Sequence, residues 1–467
     1  MTDPADLPAT ALLAGYRDRT LSPVEVIDAV LARIDQWEPH LNALYTYYPE
    51  QARAEAVASA DRWRRGEPAG ALDGVPLTVK ENIATAGCPT PLGSAATDLV
   101  PAVANSPTAD RIREAAGIVF GKTTMPDYGM SSSGLSSFHG MTRNPWNLAR
   151  NPGGSSSGAG AAAAAGYGPI HYGSDIGGSI RLPASWCGVV GFKPSFGRIP
   201  VVPPYLGRTV GPLTRTVADA ALATSVVAVP DRRDHTAAPE LPADWTVAAR
   251  PLALSGVRIG LMTEAGTGWP VDPVVSTAVE GVAELLESLG ASVEKVEPIM
   301  TDEMLAGLND FWRVRMWSEI RSLPESRRAK VSPYIRGWIA GAETLTGAAV
   351  FDGYSQFDAM GIAADRRLDL VDFLISPTSP ITAWPVEQTA PEGDPTLPFR
   401  HIGFTVPFNP AGHPAISMNC GRVADGTAIG VQFIGRRFDD VRLLQLAAAF
   451  EQARPAQEPW PEPPASR

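Results

Sequence analysis

Residues 151–198 read NPGGSSSGAGAAAAAGYGPIHYGSDIGGSIRLPASWCGVVGFKPSFGR. Two Gly-Gly-Ser triplets end at Ser155 and Ser179, and a short alanine-rich segment lies between them. Because glycine has no Cβ, backbone N–H groups at such positions can approach a ligand closely. A serine hydroxyl becomes a nucleophile once a neighbouring base removes its proton. The stretch therefore predicts a small-molecule site with much of its wall made of backbone.

Apolar segments that alternate with helical segments flank this stretch on both sides. The predicted strands are residues 74–79, 117–121, 189–192, 291–296, 373–376 and 428–434. Helices are predicted after the Ser22-Pro23-Val24-Glu25 N-terminal signal and over residues 51–65, 271–289, 302–365 and 443–452. Such alternation is typical of an α/β sheet covered by helices on both faces. No repeat or clear linker interrupts it, so we expect a single large domain.

Composition narrows the class of protein. The chain has 467 residues, of which 44% are apolar and 19% charged, enough for a sizeable core. Its net charge of −11 argues against a nucleic-acid partner, which requires a basic face. The first ten residues carry neither a basic nor an apolar segment, and the alanine run at 161–165 is too short to span a bilayer. We expect a cytoplasmic protein with no membrane partner.

Cysteine and histidine are sparse and scattered. The three cysteines, at 88, 187 and 420, form no CxxC pair, and the six histidines form no HExxH pattern. Such spacing favours neither a disulfide framework nor a zinc site. We therefore expect no metal and no cofactor.

Lys80 stands at the end of a predicted strand, in GVPLTVKEN. Lysine is rare in this chain and occurs only at positions 80, 122, 193, 295 and 330. Its apolar flanks indicate burial, which would lower the pKa of the amine and leave it neutral near pH 7. The alternative is a solvated charge that follows a strand.

Each glycine–serine cluster, taken alone, has an ordinary interpretation. The first, GGSSSG, could be a flexible loop, or its residues 154–158 could be a GxSxG elbow. An elbow follows a strand, however, and Pro152 disfavours one there. No GK[ST] follows the glycines, so a phosphate-binding loop is not indicated. The second cluster, SDIGGSIR, could be a tight turn entering a helix, or successive N–H groups that hold an oxyanion.

Together these residues resemble the amidase signature family. The resemblance extends over nearly the whole chain, through GKTTMPDYGM, TRNPWN, CGVVGFKPSFGRIP and GVQFIGRRFDDVRLL. It implies a mixed, twisted central sheet, with Lys80 as base, Ser179 as nucleophile and Ser155 as a proton relay after a cis peptide bond. Ser156 is implied as a supporting hydroxyl beside Ser155.

The resemblance also implies further site residues. The N–H groups of an oxyanion hole are expected at Ile176, Gly177, Gly178 and Ser179. Gly129 and Met130, from the loop 125–133, are expected to contact substrate together with Ser155. Asp175 and Arg181 are expected to support the nucleophile by hydrogen bonding rather than to take part in chemistry.

The function implied is hydrolysis of a linear amide through an acyl-enzyme. A carbamate, urethane or ester would present the same carbonyl, so these substrates stay open. The chain could also be an amidotransferase-type subunit, but residues 197–211 lack the Ser-Ser-Leu-Asp-Gln run typical of that subunit. Dimers are frequent in families of this kind, so a homodimer is one expected assembly. Within the domain we expect N-terminal helices (1–70), a signature core (71–220), a helical substrate-lining region (300–365) and a proline-rich, frayed or extended tail (453–467).

Overall fold

The computed structural model describes residues 3–241, 243–396 and 398–464. Eleven of the thirteen strands in these ranges join into one mixed sheet. The strands are β1 (Leu44–Tyr47), β2 (Pro76–Lys80), β3 (Ile118–Thr123), β4 (Leu135–Ser136), β5 (Gly140–Met141), β6 (Ile170–Asp175), β7 (Val190–Lys193), β8 (Thr209–Thr214), β9 (Arg258–Leu261), β10 (Ser292–Lys295), β11 (Phe373–Pro377), β12 (Ala415–Arg422) and β13 (Ala428–Ile434). Their order in the large sheet is β1-β3-β2-β6-β8-β7-β12-β13-β11-β9-β10, while β4 and β5 form a separate pair.

Helices cover this sheet. They are α1 (Ala9–Asp18), α2 (Pro23–Leu41), α3 (Pro49–Arg65), α4 (Pro107–Glu114), α5 (Ser157–Ala165), α6 (Arg181–Cys187), α7 (Val217–Val227), α8 (Pro273–Ser288), α9 (Asp302–Arg321), α10 (Glu325–Arg328), α11 (Pro333–Ile339), α12 (Gly347–Leu368) and α13 (Asp440–Ala453). None of the helices in the described ranges is long and apolar enough to cross a membrane.

The sheet contains two parallel groups of strands, which are separated by an antiparallel middle, and its edge strand β1 is antiparallel to β3. Strand β2 pairs in parallel with β3 and β6, and β9 pairs in parallel with β10 and β11. Antiparallel pairs connect β6, β8, β7, β12, β13 and β11 in sequence. The predicted fold class, an α/β domain with a mixed central sheet, is confirmed. Strand β1 pairs with β3, so the N-terminal 70 residues contribute to the same sheet.

Most predicted elements are present with small shifts. Ser22 caps α2 with a complete capping box, and α3 begins at Pro49, two residues before the predicted start. Strand β2 extends through Lys80, so this lysine is the last residue of the strand. Strand β6 was not predicted, because its sequence IHYGSD carries residues with low strand propensity.

Helix α5, the alanine-rich segment between the two serine clusters, is buried on every side. Its small side chains let it pack closely between the sheet and its neighbours. A Cβ on Gly160 would lie 2.8 Å from the Cβ of Pro183 in α6. This close approach of α5 and α6 keeps the two serine segments together at the carboxyl ends of β2 and β6.

The region 302–365 is helical but divided into α9, α10, α11 and α12. Trp312 and Trp338 lie buried in an apolar cluster with Phe399 and Phe357. These aromatic side chains therefore belong to the hydrophobic core.

Of the tail predicted at 453–467, residue 453 still belongs to α13, residues 455–464 contain no helix or strand, and residues 465–467 lie outside the described ranges. The tail is nevertheless attached to the fold. The Trp460 ring lies 4.3 Å from the guanidinium carbon of Arg215 and 6.0 Å from the Trp146 ring.

Candidate active site

The ends of two adjacent parallel strands hold the central residues of the site. Strand β2 ends at Lys80 and β6 ends at Asp175, and ligands bind outside such carboxyl ends in open α/β sheets. Ser155 precedes α5, and the Gly154–Ser155 peptide bond is cis, as the family resemblance implied. The N–H of Ser156 donates to the carbonyl of Ser179 at 3.1 Å. This bond holds the two glycine–serine segments side by side.

The Lys80 amine is surrounded by hydroxyl groups. Its Nζ lies 2.8 Å from Ser155 Oγ, 3.1 Å from Ser156 Oγ and 3.3 Å from Ser174 Oγ. The side chain is fully buried, and this burial lowers the pKa of Lys80 to about 7, although Glu81 and Asp175 oppose the shift. Near neutral pH a substantial fraction of this amine is therefore uncharged.

Burial does not by itself distinguish Lys80. Lys193 is equally buried with a pKa also lowered to about 7 by burial, and burial lowers the pKa of Lys122. Within the described residues, the Lys193 amine donates only to the Pro194 carbonyl, at 3.1 Å, and Lys122 Nζ has no hydrogen-bond partner. Lys80 is the buried lysine whose amine contacts serine hydroxyls.

The hydroxyl protons around Lys80 have different acceptors. Ser156 Oγ donates to the Ser174 carbonyl at 3.2 Å and accepts the Ser174 N–H at 3.3 Å, so toward Lys80 it can only accept a hydrogen bond. Ser174 Oγ exchanges hydrogen bonds with the amide of Asn82, at 3.0 and 3.5 Å. Ser155 Oγ has no other partner among the described residues. A neutral amine offers two N–H donors and one lone pair, and Ser155 is the hydroxyl best placed to use that lone pair.

The loop after β6 exposes backbone N–H groups. Those of Ile176, Gly177 and Ser179 donate to no other group within the part of the chain that the structure describes. The N–H of Gly178, however, donates to Asp175 Oδ1 at 2.8 Å. The Gly178 N–H is thus engaged by Asp175 in this structure, and the oxyanion hole expected at residues 176–179 stays a prediction. The φ of +125° at Gly178 favours glycine, and a Cβ there would lie 2.6 Å from Thr405 Oγ1.

Asp175 and Arg181 form a buried ion pair directly beneath this loop. The Arg181 guanidinium donates to both carboxylate oxygens at 2.9 and 3.0 Å, and neither side chain is exposed. Burial alone would raise the pKa of Asp175, but Arg181 and the N–H of Ile180 hold it well below its usual range. Arg181 also donates to Thr405, Gln432 and Asn409. The pair anchors the loop to distant parts of the chain, in line with the supporting role expected from sequence.

A cavity of about 390 Å³ opens at these residues. Ser155, Ser179 and Ile176 lie in its wall, together with the predicted Gly129 and Met130. A Cβ on Gly129 would lie 3.2 Å from Ser155 Oγ, so glycine keeps this approach open. The structure thus brings the expected substrate-contact residues to one cavity with both serines.

Several lining residues escaped the sequence analysis. Asn82 lies two residues after Lys80, and Ser174 lies five residues before Ser179. A polar side chain so close to a motif residue was a usable signal. Arg208, Arg315 and Glu319 carried no such signal, because they reach the cavity from a distant loop and from α9. No group of three or more His, Cys, Asp or Glu in the described ranges is placed to hold a metal ion.

The Amidase family model matches residues 25–444. The chain belongs to the amidase family. A solved bacterial aryl acylamidase of the amidase signature enzymes superposes with a TM-score of 0.87 at 30% identity, over 96% of each chain. The 6-aminohexanoate cyclic dimer hydrolase has a TM-score of 0.86 at 29% identity, over 97% of this chain and 98% of its own.

Curated relatives of this amidase fall into two kinds. An acylamidase of Rhodococcus erythropolis is 34% identical over 96% of both chains. A glutamyl-tRNA(Gln) amidotransferase subunit of Symbiobacterium thermophilum is also 34% identical, over 93% of this chain and 96% of its own. Similarity of this degree to both kinds does not choose between a subunit and an independent hydrolase.

Proposed function

We propose that this amidase hydrolyses the C–N bond of a carboxylic amide through an acyl-enzyme on Ser179. The observation that carries the proposal is the 2.8 Å contact between the buried Lys80 amine and Ser155 Oγ, in the wall of the cavity that also contains Ser179. A neutral lysine held against a serine relay can activate a second serine hydroxyl as nucleophile.

The first step transfers two protons and forms one bond. Ser155 Oγ gives its proton to neutral Lys80 while it accepts the proton of Ser179 Oγ. Ser179 Oγ attacks the carbonyl carbon, and the carbonyl oxygen becomes an oxyanion. The N–H groups of Ile176, Gly177 and Ser179 stabilise this charge, a contribution of about 10²–10³ in turnover for one donor in other hydrolases.

The second step expels the amine. Ser155 donates its proton to the leaving nitrogen as the C–N bond breaks, and Lys80 returns its proton to Ser155. Water then attacks the acyl-enzyme by the same relay and releases the acid. Ser156 and Ser174 orient the Lys80 amine, and the Asp175–Arg181 pair positions the loop that carries Ser179.

Two observations favour a hydrolase that acts without a partner. One relative and one structural neighbour are acylamidases, and residues 197–211 lack the run typical of the amidotransferase subunit. Carbamates and esters would use the same residues, because each presents an acyl carbonyl to Ser179. These substrates therefore belong in the same test.

The test is hydrolysis by the purified chain alone of a panel of aryl amides, aliphatic amides, carbamates and esters. We expect amide turnover that Ser179→Ala abolishes while the thermal unfolding temperature is preserved. A fluorophosphonate should label the wild type at Ser179. The matched control is Ser288→Ala on the exposed face of α8, which should keep full activity. Absence of turnover by the chain alone, or an adduct at another serine, would refute the proposal.

A further inference from the structure

The cavity that holds Ser179 has an unbalanced charge. Four of its lining residues carry a charge at neutral pH: Asp175, Arg208, Arg315 and Glu319. Asp175 is neutralised by Arg181, and Arg315 pairs with Glu319 at 3.2 Å within α9. Arg208 forms no ion pair with any carboxylate of the described residues. One positive charge in the cavity is therefore left without a counter-charge.

The surroundings of Arg208 hold it in place without neutralising it. Its guanidinium donates to the Pro203 carbonyl at 3.3 Å and lies 5.3 Å from the Tyr205 ring. The Arg315 guanidinium lies 4.3 Å from the same ring. One carbonyl uses only part of the five N–H donors of a guanidinium, so several donors stay free to bind a ligand.

Electrostatics agree with this geometry. Burial, and then the neighbouring Arg315, lower the pKa of Arg208, yet a guanidinium keeps its proton in proteins. The Arg208 side chain is half-buried, and a charge partly withdrawn from water is ordinarily paired or hydrogen-bonded, because desolvation otherwise destabilises it. An anion in the cavity would supply the missing partner, and carboxylates fit the planar guanidinium fork in a bidentate manner.

We propose that the substrate carries a carboxylate that binds Arg208 while its scissile carbonyl lies at Ser179. The inference rests on the proposed amide hydrolysis and specifies its substrate class. Arg208 is then a specificity-determining residue, with Arg315 and Tyr205 holding the anion-binding wall of the cavity.

A simpler role for Arg208 has to be separated from this one. Its positive charge also contributes to lowering the pKa of Lys80, behind the larger effect of burial. Loss of Arg208 would therefore raise the pKa of the base and change turnover of every substrate alike. Only a difference between charged and neutral substrates reports recognition of an anion.

The experiment compares matched pairs of amides. In each pair, one substrate ends in a carboxylate and the other ends in the neutral carboxamide of the same shape. In the first pair the carboxylate or carboxamide is on the acyl side of the scissile bond, and in the second pair it is on the amine side. We would measure kcat/KM from pH 6 to 9 for the wild type, Arg208→Gln and Arg208→Lys. Arg53→Gln, at an exposed site on α3, is the matched control.

The wild type should prefer the carboxylate in at least one pair by about tenfold or more, the scale of a charge-assisted hydrogen bond. Arg208→Gln should remove most of that preference, Arg208→Lys should restore part of it, and Arg53→Gln should keep it. Equal rates within both pairs for a wild type that hydrolyses amides would overturn this inference alone. A preference that survives in Arg208→Gln would also overturn it, including the case in which the substitution only shifts the pH profile of both members of each pair alike. Hydrolysis of none of the substrates would overturn the proposed function as well.

Discussion

Burial lowers the pKa of Lys80 and Lys193 to about 7, yet the two amines contact different groups. The Lys80 amine lies against three serine hydroxyls, whereas Lys193 donates to one backbone carbonyl. Apolar flanks and the scarcity of lysine singled out Lys80 in the sequence. Its contact with Ser174 could not be read from the sequence, because that contact depends on the pairing of β2 with β6.

The two lysines give a matched test of the base. Lys80→Met should lower kcat/KM by about 10²–10⁴, the usual contribution of a positioned base. In the wild type, kcat/KM should rise as pH passes through about 7, because the depressed pKa leaves the amine neutral only above that pH. Steady-state kinetics from pH 5 to 9 measure both effects.

Lys193→Met is the control, since it removes an equally buried amine that touches no hydroxyl. It should retain the rise near pH 7. If the rise persists in Lys80→Met and vanishes in Lys193→Met, the base has been assigned to the wrong lysine.

The loop between β6 and α6 shows how one element depends on distant parts of the chain. The sequence predicted that Asp175 and Arg181 support the nucleophile, and the structure places them in one buried pair. It did not predict that Asp175 would occupy the N–H of Gly178. A strand followed by glycines predicts exposed N–H groups, but which of them a carboxylate takes depends on the final path of the loop.

Asp175→Asn should destabilise the fold, because it leaves the Arg181 guanidinium buried without its counter-charge. Breaking a buried pair in this way costs about 3–5 kcal/mol. Urea unfolding of the purified variant would measure the change in the free energy of unfolding. The control is Asp28→Asn, which breaks an exposed pair with Arg53 and should change that free energy by less than about 1 kcal/mol. A loss for Asp175→Asn as small as for the control would show that the loop is held by other contacts.

At the scale of the whole molecule, the C-terminal tail crosses back over the N-terminal half. Trp460 packs against Arg215, and Arg215 in turn donates to the α5 carbonyls of Ala163 and Ala164. The proline-rich composition favoured a frayed or extended tail, and residues 455–464 contain no helix or strand. The position where it docks could not be predicted, since a single tryptophan in an irregular segment has no periodic pattern.

Trp460→Ala should lower the free energy of unfolding by about 1–3 kcal/mol through lost apolar burial and the lost cation–π contact. Its kcat/KM should equal that of the wild type, because none of the described tail residues lines the Ser179 cavity. Thermal or urea unfolding and the amide assay check the two expectations. Phe351→Ala, on a ring that is 67% exposed, should change stability by less than about 0.5 kcal/mol. Equal effects of the two substitutions would mean that Trp460 does not anchor the tail.

The amino-acid sequence by itself determined the α/β class and the family, because these depend on local periodicity and on motifs of fixed spacing. The same motifs predict Lys80, Ser155 and Ser179 as the catalytic residues. Only the tertiary structure decided which buried lysine meets the hydroxyls, and which N–H groups stay free. It also decided that Arg208 and Arg315, from segments far apart in the chain, line the same cavity as Ser179. The physical reason is that the pKa of a group and its hydrogen-bond partners depend on what surrounds it in space, and packing of the sheet and helices sets those surroundings.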